Sequence, residues 1–273
     1  MNYKTMLLAS AAVLFANQAM AQDITGTFAV PGAGQFTSDT SIGMTRAKTK
    51  WTAPGGSMTE AEDGAYISEV VEYGLTDQFS VNAGIANEFD KEGGYNNDHN
   101  FLYNVGAKYN TRKDDVLLQA AASYTTLNPH DYYGHHSGVG NKWKKILGLD
   151  LKAGLDLGNG ITPYIVYSID SVIDDNHRPL EQSVSAGIHK YTGQWALDGA
   201  VRYEWTSNDK DNWARKNSTE WWLDASADYY LKDNVVIGAY GSYLLDSKDK
   251  KLGGFKEHES TTYELGLHVK FLF

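Results

Sequence analysis

The stretch that decides the fold is the C-terminal segment Tyr263–Phe273, which reads YELGLHVKFLF. Side chains of a β-strand point alternately to opposite faces, so the residues of this segment divide into two rows. One row holds Tyr263, Leu265, Leu267, Val269, Phe271 and Phe273, and the other holds Glu264, Gly266, His268, Lys270 and Leu272. The segment is therefore a strand with one apolar face and one largely polar face.

The same two-residue period recurs upstream and predicts about twelve strands, although ten or fourteen would also fit the pattern. In one of them, Leu147, Leu149 and Leu151 alternate with Gly148, Asp150 and Lys152. The predicted strands are 41–52, 63–75, 78–89, 100–110, 115–127, 143–157, 161–173, 180–191, 194–206, 219–230, 234–246 and 260–273.

The connections between these strands alternate between short turns and long polar loops. The short ones contain the Gly, Asn and Asp residues of tight hairpins and lie at 75–78, 111–114, 158–160, 192–193 and 231–234. A soluble sandwich has no reason to make every second connection short, whereas a membrane barrel has turns on one side and loops on the other. We therefore predict an all-β fold, a transmembrane antiparallel up-and-down β-barrel over residues 41–273.

The N-terminus has the pattern of a secretory signal over residues 1–21. A cationic start precedes the apolar stretch Met6–Ala16, which is too short to span a bilayer, and Ala19–Ala21 is a small-x-small cleavage site. The chain contains no cysteine, which excludes both a disulfide scaffold and a lipoprotein. Residues 22–40 are compatible with a periplasmic tail, a plug inside the barrel or an extra strand.

Apolar rows of such a barrel face lipid and polar rows line the lumen, because a midplane Arg or Lys on the lipid face costs about 2–4 kcal/mol. The acidic residues assigned to the lumen are Asp198, Glu204, Glu220, Asp224 and Asp228. The basic residues assigned to it are Arg46, Lys48, Lys50, Arg202 and Lys270. In the second strand, Glu69 is expected to face inward and Glu72 to reach water near the turn.

The sequence resembles Gram-negative outer-membrane β-barrels in two segments that each contain a turn and the start of a strand, Gly74–Val81 and Tyr230–Ile237, and in its terminal strand. The resemblance covers the whole mature chain, and it is to a class of proteins with no single family. It implies an outer-membrane location among phospholipid and lipopolysaccharide. It also implies that the barrel-assembly machinery recognises the terminal strand, with Tyr263, Phe271 and Phe273 as the signal.

The lumen inventory predicts a porin-like channel for small polar solutes or ions, with a preference for cations because carboxylates are in excess. The alternative is a structural or adhesive barrel with a filled lumen and interacting loops. An enzyme is less favoured, because His268 and Glu264 are about 13 Å apart along one strand and no nucleophile motif is visible. The histidines of loop 128–141 have no fixed ligand spacing, so neither a metal nor another cofactor is predicted. The net charge of −10 argues against a nucleic-acid partner.

Replacement of Phe273 by serine is expected to reduce the yield of assembled barrel in the outer membrane severely. Burial of an aromatic side chain contributes only about 1.5–3 kcal/mol, whereas the resemblance makes this residue a recognition signal. The measurement is the amount of folded protein in outer-membrane fractions of wild type and Phe273→Ser. An unchanged yield would contradict the assigned role.

Overall fold

The computed structural model describes residues 28, 30–53, 56–92, 95–130, 144–173, 180–207, 218–248, 251–252 and 255–273. These residues form β1 (Phe36–Ala53), β2 (Gly56–Gly74), β3 (Phe79–Glu92), β4 (Tyr95–Lys113), β5 (Val116–His130), β6 (Lys144–Leu155), β7 (Ile161–Val172), β8 (Leu180–Thr192), β9 (Trp195–Ser207), β10 (Ser218–Lys232), β11 (Val235–Lys248), β12 (Lys251–Leu252) and β13 (Phe255–Leu272). The predicted signal segment 1–21 lies outside the described residues, as do residues 22–27.

All neighbouring strands pair antiparallel, and β1 also pairs with β13, so the sheet closes on itself. At the closure, the amide of Phe36 donates to the carbonyl of Phe273 over 3.1 Å, and the amide of Phe273 returns the bond over 2.9 Å. The two-residue β12 only extends the β11–β13 connection by pairing with β13. The prediction of a twelve-stranded antiparallel barrel is confirmed.

No helix among the described residues is long and apolar enough to cross a membrane.

Short turns join the strands at the end of the barrel where β1 begins. Asp114, Asn159 and Gly193 adopt positive φ there, at 56°, 53° and 60°. Left-handed backbone of this kind is what tight hairpins need, and Gly, Asn and Asp tolerate it best. All five predicted short connections lie at this end, which is the periplasmic end in outer-membrane barrels.

The outer wall of the barrel is apolar. Large side chains on it are half exposed, including Ile42, Ile67, Ile85, Val105, Leu149, Ile165, Ile188, Leu265 and Leu267. Ile85 and Leu267 expose 57% and 58% of their surface. Contact of so large an apolar area with water would be unfavourable. The closed sheet therefore presents a face suited to lipid.

β1 differs from the prediction in both its start and its register. It begins at Phe36, so residues 36–40 of the segment 22–40 are strand. Asp39, Ser41 and Ala47 are buried on the inside, and Arg46 points outward. The assigned lumen positions of Arg46, Lys48 and Lys50 are therefore wrong by one residue, and all three are exposed on the outer wall.

Position along the strand explains why the outer wall accepts these cations. Arg46 lies ten residues beyond the start of β1 and pairs in register with the aromatic residue Tyr263, and Lys48 and Lys50 lie farther toward the loops. Outward charges at that level reach the headgroup region, where the cost of a charged side chain falls to about 0–1 kcal/mol. Arg46 also forms an exposed ion pair with Asp63 at 3.4 Å.

The expectations for Glu69 and Glu72 are likewise reversed. Glu72 faces inward, where Lys108 donates to it over 3.0 Å and Ser80 also donates. Glu69 faces outward, and the hydroxyls of Ser38 and Thr40 on β1 donate to its carboxylate. Local hydrogen bonds thus offset part of the cost of a carboxylate on the outer wall.

Inward glycines provide space for long side chains to lie flat along the wall. The ring of Tyr66 lies over Gly43, the ring of Tyr240 lies over Gly266, and the ring of Tyr164 lies over Gly187. A Cβ at any of these glycines would overlap the ring. Tyr66 then donates to Glu264 and shares a hydrogen bond with Tyr240.

Replacement of Gly43 by valine should destabilise the barrel by about 1–3 kcal/mol, because the new side chain displaces the Tyr66 ring from its hydrogen bonds. Gly199→Val is the matched control, since Gly199 lies in β9 with nothing within 4 Å of an added Cβ. The free energy of unfolding of each variant in urea, measured in lipid vesicles, tests this. Equal losses at the two positions would contradict the packing described.

Candidate functional site: the lumen wall

Carboxylates outnumber cations on the inward rows. The inward acidic residues are Asp39, Glu62, Glu72, Glu88, Asp150, Asp170, Glu181, Asp198, Glu204, Glu220, Asp224, Asp228 and Glu264. The inward cations among the described strand residues with buried or half-buried side chains are Lys108, Lys152, Arg202 and Lys270. The five acidic residues assigned to the lumen from sequence all lie on these inward rows, as do Arg202 and Lys270.

Arg202 is the centre of an ion-pair cluster on β9 and β10. Its Nε donates to Asp224 Oδ2 over 3.1 Å, and its Nη1 donates to Glu204 Oε2 over 2.9 Å. Its guanidinium also lies 5.2 Å from the centre of the Trp222 ring. Ser242 donates to Asp224 over 2.6 Å, so this cation is fixed on the wall by contacts on several sides.

His268 joins β13 to strands on both of its sides. Its Nε2 lies 2.8 Å from Asp228 on β10, and its Nδ1 lies 3.6 Å from Asp39 on β1. The bond to Asp228 passes over Gly238, where any Cβ would overlap both partners. Glu264 is engaged by Tyr66, so the structure does not bring Glu264 and His268 together as a catalytic pair.

Lys152 lies between two aromatic rings toward the short-turn end. Its Nζ is 4.9 Å from the centre of the Phe28 ring and 4.6 Å from the centre of the Tyr164 ring. Tyr164 in turn donates to Asp198, and His189 Nδ1 lies 3.5 Å from the same carboxylate. Aromatic faces stabilise a cation that is removed from water, so the two rings offset part of the cost of burying this lysine.

The two sides of the lumen differ in how much room they leave. Toward β2–β5, Glu72, Lys108, Asn104 and Thr125 are almost fully buried, and Asn104 donates to Thr125 over 2.9 Å. Toward β6–β10, the polar side chains keep contact with the solvent-accessible space. They are Asp150, Ser168, Asp170, Ser183, Arg202, Glu204, Asp224 and Asp228. The half-buried polar side chains of the wall are therefore concentrated on the β6–β10 side, whereas Lys152, His189 and Asp198, nearer the short turns of the same strands, are buried.

Near the loop end, the inner wall also bears several apolar side chains. These side chains are buried and come from β4–β7, β10 and β11. They are Leu102, Leu127, Ile146, Val172, Trp222 and Leu244. Carboxylates lie on both sides of these residues along the barrel, since Glu220 is closer to the loop end than Trp222 and Asp170 is closer to the short turns than Val172.

Of the five basic residues assigned to the lumen from sequence, Arg202 and Lys270 face inward, whereas Arg46, Lys48 and Lys50 do not. Sequence reasoning also missed Lys108 and Asp39. Continuing the alternation from Asn104 through Gly106 would have placed Lys108 inward. Asp39 was not assigned to the lumen because it precedes residue 41, the predicted start of the first strand.

No group of three or more potential metal ligands occurs within the parts of the chain that the structure describes. The histidine-containing loop mostly lies outside them, since residues 131–143 are not described.

No family model and no curated protein sequence matches the chain. Solved structures do resemble it, at low sequence identity. An outer-membrane channel from Pseudomonas putida F1 aligns with a TM-score of 0.61 and 13% identity, over 91% of this chain and 98% of that one. The TodX monoaromatic hydrocarbon channel, in a mutant form, aligns with a TM-score of 0.53 and 9% identity, over 94% of each chain.

The translocator domain of the autotransporter NalP from Neisseria meningitidis aligns with a TM-score of 0.51 and 12% identity, over 97% of this chain and 96% of that one. Likeness at such identity concerns the fold alone, since one barrel architecture serves several functions. The chain has the fold of Gram-negative outer-membrane β-barrels.

Proposed function

We propose that this protein is an outer-membrane channel for small polar solutes and ions, with a preference for cations. The observation that supports it best is the acidic character of the accessible β6–β10 side. Asp150, Asp170 and Glu204 are half-buried there, and the half-buried inward cation described on these strands is Arg202, which already binds both Glu204 and Asp224. The remaining negative charge would attract cations and repel anions along the aqueous path.

The size of this effect follows from the distances available in a narrow lumen. A carboxylate about 6 Å from a passing monovalent cation lowers its energy by about 0.7 kcal/mol even at the dielectric constant of water. That energy corresponds to about a threefold preference, since 1.4 kcal/mol is tenfold. Two such carboxylates thus suffice for a measurable bias between potassium and chloride.

The proposed location is the outer membrane, with barrel-assembly machinery needed for insertion. Arg46, Lys48 and Lys50 support it, because they form a column of outward cations at the loop end of β1. Lipopolysaccharide phosphates occupy that level in the outer leaflet, and lysine and arginine bind phosphate well. Two of the similar structures, from Pseudomonas putida F1 and TodX, are described as channels, which is consistent with the proposal.

A structural or adhesive barrel with a filled lumen is the second candidate. The dense packing toward β2–β5 favours it, since Lys108 and Glu72 are both nearly inaccessible to water. We do not propose an enzymatic activity, because the wall contacts described here hold Glu264 on Tyr66 and His268 on Asp228.

Simultaneous replacement of Asp150 and Asp170 by asparagine should lower the potassium-to-chloride permeability ratio by about tenfold or more, because each carboxylate at about 6 Å attracts potassium by about 0.7 kcal/mol and also repels chloride. The measurement is the zero-current potential of single channels in planar bilayers under a potassium chloride gradient at pH 8. The wild type is expected to be cation-selective, and the double variant is expected to be much less so.

Asp63→Asn is the matched control, because Asp63 is exposed on the outer wall at the level of Arg46. It removes one negative charge without altering the lumen and should leave the potential nearly unchanged. An anion-selective wild type would contradict the proposed preference. A wild type and variants that never conduct would favour the filled barrel.

A further inference from the structure

The described residues that precede β1 lie against the barrel, and we call Phe28 together with Val30–Gln35 the strap. One end of the strap is fixed to β2 and to the turn after it. Gly34 donates its amide to the carbonyl of Gly74 over 2.9 Å, and the amide of Gly74 donates to Gln35 over 2.9 Å. The amide of Ala33 donates to the Asp77 carboxylate over 3.1 Å.

The other end of the strap is Phe28, which is buried inside the lumen with 6% of its surface exposed. It packs against Tyr164 on β7 and Ala200 on β9. Lys152 approaches its ring, and a Cβ added at Gly154 on β6 would come within 2.5 Å of that ring. Gly154 therefore forms part of the seat of Phe28, because any larger residue would occupy the same space.

The two ends of the strap are on opposite sides of the barrel. β2 and β7 are five strands apart in one direction around the wall and seven in the other. Three steps along the backbone separate Phe28 from Pro31, whose carbonyl oxygen lies against Gly74. The strap must therefore cross the short-turn end of the lumen.

We propose that Phe28 locks the strap across the lumen and thereby keeps the channel mostly closed. The inference rests on the proposed channel function and adds its regulation. The path along the β6–β10 side ends at the seat, because Lys152, Tyr164 and Ala200 belong to that side. The ring of Phe28 fills the space through which a solute would otherwise reach the periplasmic end.

The contacts that hold Phe28 are a cation–π approach and apolar packing, which are individually weak. The described contacts fix the outer part of the strap by backbone hydrogen bonds, whereas Phe28 itself is held by its side chain. Release of this one ring would open the mouth without breaking the pairing of β1.

Single-channel recording in planar bilayers tests the proposal with wild type and Phe28→Ala. Loss of the ring should raise the ratio of open to closed time by roughly 5- to 30-fold, the factor that corresponds to about 1–2 kcal/mol of lost contact. Phe79→Ala is the matched control, since Phe79 is an aromatic residue on the outward row of β3. It should behave as the wild type.

Gly154→Ala provides a second route, because the added methyl group overlaps the ring of Phe28 and should displace it. A heat-induced gel shift establishes that each variant is folded. More open time in both variants supports the lock. Conductance that is equal in wild type, Phe28→Ala and Gly154→Ala overturns the lock and leaves the channel proposal standing. Folded variants that never conduct overturn both.

Discussion

Backbone pairing between β1 and β13 is the constraint on which the rest of this structure depends. Lipid offers no partner for a free amide or carbonyl, and each unsatisfied group in the bilayer core costs several kcal/mol. An open sheet would expose two such edges, and the register from Thr37–Leu272 to Thr52–Lys256 removes both. Closure also fixes the start of β1 at the short-turn end, next to Gly74, from which the strap can reach into the lumen.

A closed wall gives its inward side chains limited room, and inward glycines provide the space that the long side chains need. Long polar residues reach over a neighbouring strand where it has no Cβ, as Tyr66 does over Gly43 and His268 does over Gly238. Charges consequently pair along the wall, and the barrel interior is divided into a packed side and an accessible side. The acidic character of the accessible side follows from this division, because Arg202 is already engaged.

Strand number and the faces of most strands could be predicted from sequence because lipid demands a regular apolar row. That row is unbroken over 79–85 in β3, 147–155 in β6 and 195–205 in β9, so the register is unambiguous. β1 lacks this signal, because its outward row contains the polar residues Ser38 and Thr40 near its start and the charged residue Arg46 farther along. Its register is set by pairing with β2 and β13, which a single strand's pattern does not contain. The burial of Phe28 could not be predicted for the same reason, because the residues that it contacts are distant in sequence, on β6, β7 and β9.

Spin labels placed singly along β1 test most directly the central claim, which is the closed barrel with this register of its first strand. The chain has no cysteine of its own to compete for the label. The positions to label are 38–42 and 44, where sequence patterning was least informative. The account predicts that collisions with lipid-dissolved oxygen peak at the even positions, Ser38, Thr40, Ile42 and Met44. Peaks at the odd positions, or no two-residue period, would contradict the closed barrel and the register of its first strand.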